Sequence, residues 1–364
     1  MRILHVITSL RMGGAERLLA DMLPLLRGNG HVVELLLFDG TRTPLYESLE
    51  QQGIPVHALG RGFRQMWNPL HILRLRKFLQ ADRFDIVHTH NTPCQLLVAL
   101  AAGKNTPALI TTEHNTTNRR RDWSWYQGID RRMYGRYRHI VCVSEKTRNN
   151  LVDRLGFRPD TEMISVIANG IDLDRFAGPA SESLRGENER DQRIIVMVAA
   201  FRPQKDQPTL IRAMRHLPER YRLWLVGDGP KKASCEQLTA ELSLQDRVRF
   251  WGNRTDIPEL LFSADVAVLS SYYEGQALSC IEGMASGRPF VAGEVDGLQE
   301  VVGGAGLLFP CGDDRKLAEM IRTVCEDREL YDAVAGRCKA RAAAFDIGKT
   351  VSAYEELYRS VTGK

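Results

Sequence analysis

The chain has 364 residues, 43% hydrophobic and 26% charged, which suits two soluble domains that each bury a core of their own. No run of about 18 apolar residues occurs, so no membrane-spanning helix is expected, and seven cysteines scattered without metal-ligand spacing point to reduced thiols in a cytosolic protein. The net charge of +4 is unevenly shared, with +7 over residues 1–175 (24 basic, 17 acidic) and −3 over the remainder.

The opening MRILHVITSLRMGGAERLL is an apolar run cut by a polar, glycine-bearing loop, which reads as a first buried strand rather than a signal peptide. Gly13 and Gly14 follow that strand and lead into AERLLADML; such a pair serves either a strand-to-helix turn or a close backbone approach to a ligand. Further strands are expected at HVVELLLFD, PVHAL, DIVHTH, ALITTEH, HIVCVS and MISVIA, separated by segments of helical spacing. Three histidines end strands: His88 and His90 in DIVHTH, and His114 in ALITTEH. Strand-end placement makes His114 a site candidate, and no metal-ligand spacing supports a zinc centre. In NRRRDWSWYQGIDRRMYGRYRH, residues 118–139, arginines interleave with Trp123, Trp125, Tyr126, Tyr134 and Tyr137. That pattern suits an anionic membrane surface or an acidic acceptor, and equally a solvated helix face whose aromatics pack inward.

The rhythm breaks at RFAGPASESLRGENERDQR, residues 175–193, the expected linker; the acidic pair Asp172 and Asp174 beside it reads as structural. A second series of strands follows at IIVMVAA, RLWLVGDG, VRFWG, VAVLSS, PFVAGEV and GLLF, and a last helix begins near Asp346. The expected fold is α/β: two tandem doubly wound, Rossmann-like domains, residues 1–174 and 194–345. The helix of about 346–364 is available to pack back on the first, and ligands are expected in a cleft at the strands' carboxyl ends.

The stretch YEGQALSCIEGMASGRP, residues 273–289, sits between two buried strands as the crest of a βαβ unit. Gly275 permits a tight turn, Ser279 to Ser286 form a helix, and Gly287 and Pro289 end it. A helix start offers unpaired N–H groups to an anion. Bare carboxylates beside a phosphate repel it, so Glu274 in the loop and Glu282 in the helix must turn toward hydroxyls. A sugar nucleotide has that layout. Arg202 and Lys205 follow the first strand of the second domain, where cations neutralise a diphosphate and stabilise it as a leaving group. LVGDGP supplies another glycine turn but no dinucleotide fingerprint, because Lys232 holds the third glycine position.

Together these residues resemble the retaining GT-B glycosyltransferases of family four, in GGAE (13–16), EHN (113–115), VSE (143–145), NGID (169–172), PQKD (203–206), VGDGP (226–230) and the E-x7-E pair Glu274 and Glu282. The resemblance implies that Glu274 holds hydroxyls of the donor sugar, that N–H groups from Gly275, Gln276, Ala277, Leu278 and Ser279 lie near sugar and phosphate, and that Glu282 holds the ribose. It implies further that Lys205 contacts the diphosphate, that Gly14 lets the first domain's loop approach the phosphates, and that His114 sits beside the transferred sugar; Arg202, three residues before the lysine, and Gly229 of VGDGP are further donor-binding candidates. His114, Glu274 and Lys205 form the implied catalytic set, without a metal or cofactor. The implied donor is a UDP- or GDP-type sugar and the acceptor a saccharide, with no nucleic-acid partner expected; the basic aromatic segment suggests a lipid-linked or anionic saccharide acceptor and peripheral attachment at the inner face of an anionic membrane. Two positions depart from the family pattern: Ala200 stands where an arginine is usual, and Gln276 where an aromatic residue is frequent. The rival readings are a sugar-nucleotide epimerase of the same architecture, a non-catalytic nucleotide-sugar binder, and a glycosidase using Glu274 and Glu282 as its carboxylate pair.

Overall fold

The structure, a computed structural model, describes residues 1–11, 13–62, 68–81, 84–103, 106–114, 126–157, 161–178, 184–186 and 191–364. Two compact units emerge, one of Met1–Gly170 with Ile347–Lys364 and one of Ile171–Asp346. Part of the expected linker, residues 179–183 and 187–190, lies outside the described residues, as do Arg119 to Arg121, Trp123 and Trp125 of the basic aromatic segment.

The first unit is built on seven parallel strands: β1 (Arg2–Ile7), β2 (Val32–Leu37), β3 (Val56–Ala58), β4 (Ile86–His90), β5 (Ala108–Glu113), β6 (His139–Cys142) and β7 (Ile164–Val166). Their order is β3-β2-β1-β4-β5-β6-β7. All seven fall within the expected runs. Helices cover both faces of such a sheet, so its strands read as nearly unbroken Val, Ile and Leu; in β1 every residue after Arg2 is buried. The second unit repeats the plan with β8 (Arg193–Val198), β9 (Tyr221–Val226), β10 (Val248–Gly252), β11 (Val266–Leu269), β12 (Phe290–Gly293) and β13 (Leu307–Phe309), in the order β10-β9-β8-β11-β12-β13. In each sheet the winding reverses direction beside the first strand, between β1 and β4 and between β8 and β11. Open α/β sheets bind ligands at such a reversal, outside the carboxyl ends of the strands.

The final helix, Ile347–Thr362, belongs to the first unit. Its Tyr354 and Tyr358 are fully buried; the Tyr358 hydroxyl lies 2.7 Å from His88 Nδ1 and the Tyr354 hydroxyl 3.1 Å from Thr112 Oγ1. Glu355 on the same helix lies 2.8 Å from His31 Nε2 and accepts from Asn29. At the two points where the chain changes unit, Ile171 and Asp346 pair as a parallel bridge, with Ile171 N–H donating to the Phe345 carbonyl at 2.9 Å.

Several signature residues prove to be local architecture. Ser144 caps the helix Glu145–Leu155 by accepting from Thr147 N–H. The Asp172 side chain accepts from Asp174 N–H and caps the 3-10 turn Leu173–Phe176. Tyr134 and Tyr137 point inward, their hydroxyls donating to Glu113 (2.6 Å) and to the Gln95 carbonyl (2.7 Å). All seven cysteines are free thiols.

Candidate active site

The winding reversal of the second sheet brings together residues distant in the chain. After β8 the backbone runs through Phe201, which is buried, and the exposed Arg202 into a 3-10 turn, Pro203–Lys205. Asp206 then takes a left-handed conformation (φ 47°) and the helix Gln207–Ala213 begins. Burial raises the Asp206 carboxyl above its ordinary range, against hydrogen bonds from Thr209 and Tyr272. After β11 the chain passes Ser270, which is fully buried and whose hydroxyl donates to the Asp206 carbonyl (2.8 Å) and the Lys205 carbonyl (3.2 Å). Two residues later Tyr272 N–H donates to the Gln204 carbonyl at 2.9 Å. The turn carrying Lys205 is therefore stapled to the loop carrying Glu274.

Across that staple Lys205 Nζ donates to Glu274 Oε1 at 2.5 Å, with side chains 16% and 10% exposed. Beyond Glu274 the residues Gly275, Gln276, Ala277 and Leu278 are buried, and Ser279 is half-buried. The helix runs over Leu278–Ala285, one residue ahead of the expected bounds, and Ala277 at its start makes no side-chain cap. An alanine at that position leaves first-turn N–H groups for another acceptor, where serine, threonine or aspartate would have satisfied one. Glu282 lies on this helix and is buried (8% exposed). Lys205, Glu274, the backbone from Gly275 to Ser279, and Glu282 thus occupy one strand-end region, combining a cation, two carboxylates and a helix N-terminus.

Glycines set the close approaches here. A Cβ on Gly229 (φ 154°) would meet the Phe201 carbonyl oxygen at 2.5 Å, and one on Gly227 (φ 133°) the Ala199 oxygen at 2.3 Å. The VGDGP turn is thus pressed onto the backbone leaving β8, which it also binds through Phe201 N–H to the Asp228 carbonyl and Lys231 N–H to the Phe201 carbonyl, both 3.0 Å. The pattern of the chain did not single out Gly297, on the helix Asp296–Val302. A Cβ there would lie 2.3 Å from the Glu274 carbonyl oxygen and 2.8 Å from that of Gly275. This contact buttresses the Glu274 loop from behind. Gly297→Ala must displace that backbone, and overpacking of this kind costs about 1–3 kcal/mol. The expected result is a lowered melting temperature and a drop in kcat of about tenfold or more, since ångström-scale misplacement is catalytically expensive; a variant with wild-type kcat would show that the loop is not held by Gly297.

Two expected site residues belong to the first unit. Gly14 is the exposed first residue of the helix Gly14–Gly28, after Gly13 at the cap. His114 directly follows β5 and is half-buried. It is not alone. His114 Nε2 lies 3.1 Å from His90 Nδ1, and His90 Nε2 lies 3.0 Å from His5 Nδ1. His88 is bound on both nitrogens, to Tyr358 and to Thr112 Oγ1 (2.8 Å). Desolvation by burial lowers all four imidazoles, His5 to about 3, His114 to about 4, and His88 and His90 well below the ordinary value. Ring nitrogens of His5, His88 and His90 lie within 4.8 Å of one another, a spacing that would suit a metal ion, yet five of their six nitrogens are already engaged with protein groups. His5 escaped sequence reasoning, although its β1 position pairs in register with His88 on β4.

Comparison with known proteins agrees with this architecture. Residues 12–175 match the family model Glycosyltransferase Family 4, and residues 181–341 match Glycosyl transferases group 1. The chain is 24% identical to the UDP-Gal:alpha-D-GlcNAc-diphosphoundecaprenol alpha-1,3-galactosyltransferase of Escherichia coli, over 98% of this chain and 96% of that one. It is 32% identical to the lipopolysaccharide core biosynthesis glycosyltransferase LpsD of Rhizobium meliloti, over 62% of this chain; the match spans 64% of that relative's length. Among solved structures, HepE of Anabaena in complex with UDP and glucose superposes with a TM-score of 0.88 at 25% identity, covering 99% of this chain and 100% of that one. With two doubly wound sheets, a paired lysine and glutamate at the second winding reversal, and both halves matched, the chain belongs to the group 1 glycosyl transferases, its first half being of Glycosyltransferase Family 4.

Proposed function

We propose that this glycosyltransferase retains anomeric configuration without a metal. In this reading it moves a hexosyl or N-acetylhexosaminyl unit from a UDP- or GDP-sugar to a saccharide or lipid-linked saccharide acceptor, in the synthesis of a cell-surface polysaccharide or glycoconjugate. The observation that carries this reading is the Lys205–Glu274 pair beside an uncapped helix start. It is supported by the UDP and glucose held in HepE and by the diphosphoundecaprenol acceptor named for the E. coli relative.

When the donor binds, Lys205 turns to the diphosphate and Glu274 to the hydroxyls of the sugar. N–H groups from Gly275 to Ser279 meet sugar and phosphate, Glu282 takes the ribose, and Gly14 and His114 contribute from the first unit. The bond from the anomeric carbon to the phosphate oxygen breaks, and a bond from the acceptor oxygen forms on the same face. The acceptor's proton passes to the departing diphosphate oxygen. Such a reaction asks for charge stabilisation and positioning more than for a strong base. A lipid-linked acceptor would bring the protein to the cytoplasmic membrane face as a peripheral partner; no helix among the described residues is long and apolar enough to cross a membrane.

The test is incubation with a panel of UDP- and GDP-sugars and candidate acceptors, with product anomers read by NMR, with and without chelator. Release of nucleoside diphosphate coupled to a retained, chelator-insensitive linkage is expected. Epimerised donor without acceptor, or tight binding with no turnover in any pairing, would replace the proposal with an epimerase or a non-catalytic binder.

A further inference from the structure

The three rings His114, His90 and His5 form an unbranched chain of nitrogen-to-nitrogen contacts, 3.1 and 3.0 Å long, running from the end of β5 into the interior of the first sheet. Burial keeps all three imidazoles neutral, so each ring carries one proton on one of its two nitrogens. Each contact needs one donor and one acceptor. Both contacts hold only if the rings are in register: protons on Nδ1 in all three, or on Nε2 in all three. The inner end of the chain decides between them. His5 Nε2 is fully buried and has no hydrogen-bond partner among the described residues. In the Nε2 register this atom is an N–H with nothing to donate to; in the Nδ1 register it is a bare lone pair. Orphaned buried N–H groups are the rarer defect, and under-satisfied acceptors are better tolerated.

We propose that His5 and His90 are positioning residues that lock His114 into its Nδ1–H tautomer, so that His114 presents a hydrogen-bond donor, and not a general base, to the substrate. A histidine's tautomer is set by the hydrogen bond its other nitrogen makes; here that bond comes from a second histidine held in turn by a third. Resting on the placement of His114 beside the transferred sugar, the proposal defines what that placement recognises: a sugar hydroxyl that accepts from the ring and keeps its own proton to give elsewhere.

The primary test is nitrogen-15 NMR of the unliganded full chain with labelled histidine. Protonated Nδ1 at His5, His90 and His114 is expected, and Nε2–H at His114 would overturn the proposal. Two variants at His90 supply an activity readout. His90→Asn keeps an amide N–H near the position of Nδ1, whereas His90→Leu fills the volume without a donor and releases His114 to the Nε2–H form that free imidazole prefers. We expect kcat to fall by about tenfold to a hundredfold in His90→Leu, the scale of losing one aimed donor, while His90→Asn stays within about threefold of wild type. A purely structural role for His90 predicts the reverse order, because leucine suits a buried site better than asparagine, and that order would sink the proposal. His114→Ala with unchanged transfer would instead refute the placement of His114 by the sugar and leave the NMR result standing.

Discussion

Replacing either partner of the Lys205–Glu274 pair should abolish most transfer, with nucleotide affinity falling in the lysine variant and holding or rising in the glutamate variant. In the unliganded site Glu274 neutralises Lys205 at 2.5 Å in a largely buried setting. In the proposed roles, a diphosphate competes with that carboxylate for the ammonium. Lys205→Ala removes a charge-assisted hydrogen bond to phosphate, about 1.5–3 kcal/mol, so nucleoside diphosphate binding should weaken by roughly 10- to 150-fold. Glu274→Ala removes the competitor and leaves a buried ammonium without its counter-charge, a costly arrangement that an incoming phosphate relieves. Nucleoside diphosphate should bind this variant as tightly as wild type or more tightly. Both variants should lose about 10²–10³ or more in kcat, because each removes a group aimed at charge or hydroxyls in the transition state. Calorimetry with UDP and GDP, paired with steady-state transfer, reads both effects. Weakened nucleotide binding in Glu274→Ala, or transfer at the wild-type rate, would refute the assigned roles.

The histidine cluster predicts a second large effect, on stability. In the unfolded chain an imidazole takes up its proton near pH 6.5. In the folded protein His5 does so only at about 3, and His88 and His90 well below the ordinary value, because all three rings are fully buried. Between those limits the unfolded chain binds more protons, so stability is complete above about pH 6.5 and declines as the pH falls toward 3. At pH 5 the His5 ring alone costs roughly 2 kcal/mol, a large share of the about 5–15 kcal/mol that holds a typical domain, and His88 and His90 act in the same direction. Urea midpoints at pH 7.5 and pH 5.0 should differ steeply, before the carboxylates begin to protonate. A flat profile would show that the buried rings are not neutral.

The strands were legible because parallel sheets are covered on both faces, which writes them as apolar runs that turn residues punctuate. VMVAAFRPQKD illustrates this, reading at once as buried strand, turn and cationic site. What stayed hidden depends on contacts between distant segments. The separation of 69 positions between Lys205 and Glu274 says nothing of a salt bridge; only the placing of β8 beside β11 makes one. Gly297 is invisible for a like reason, since its lack of a side chain matters only against the Glu274 carbonyl. His5 looks like an ordinary member of ILHVI until β4 lies beside it in register. The aromatics of residues 118–139 were open between a surface and an interior role, and Tyr134 and Tyr137 resolve inward because Glu113 and Gln95 need their hydroxyls.

The return of the final helix to the first unit bears on the order in which the protein is made. On the ribosome, chains emerge at about 5–20 residues per second and domains generally close as units. The second unit has all of its residues once Asp346 is out, but the first, begun earliest, still lacks the tyrosines that cover His88 and Thr112. The nascent chain therefore carries a first sheet without its covering helix for roughly 10 to 40 s after residue 170 is synthesised. A stop codon at Tyr354 leaves the part of the chain made earlier, not the newest, with an exposed core.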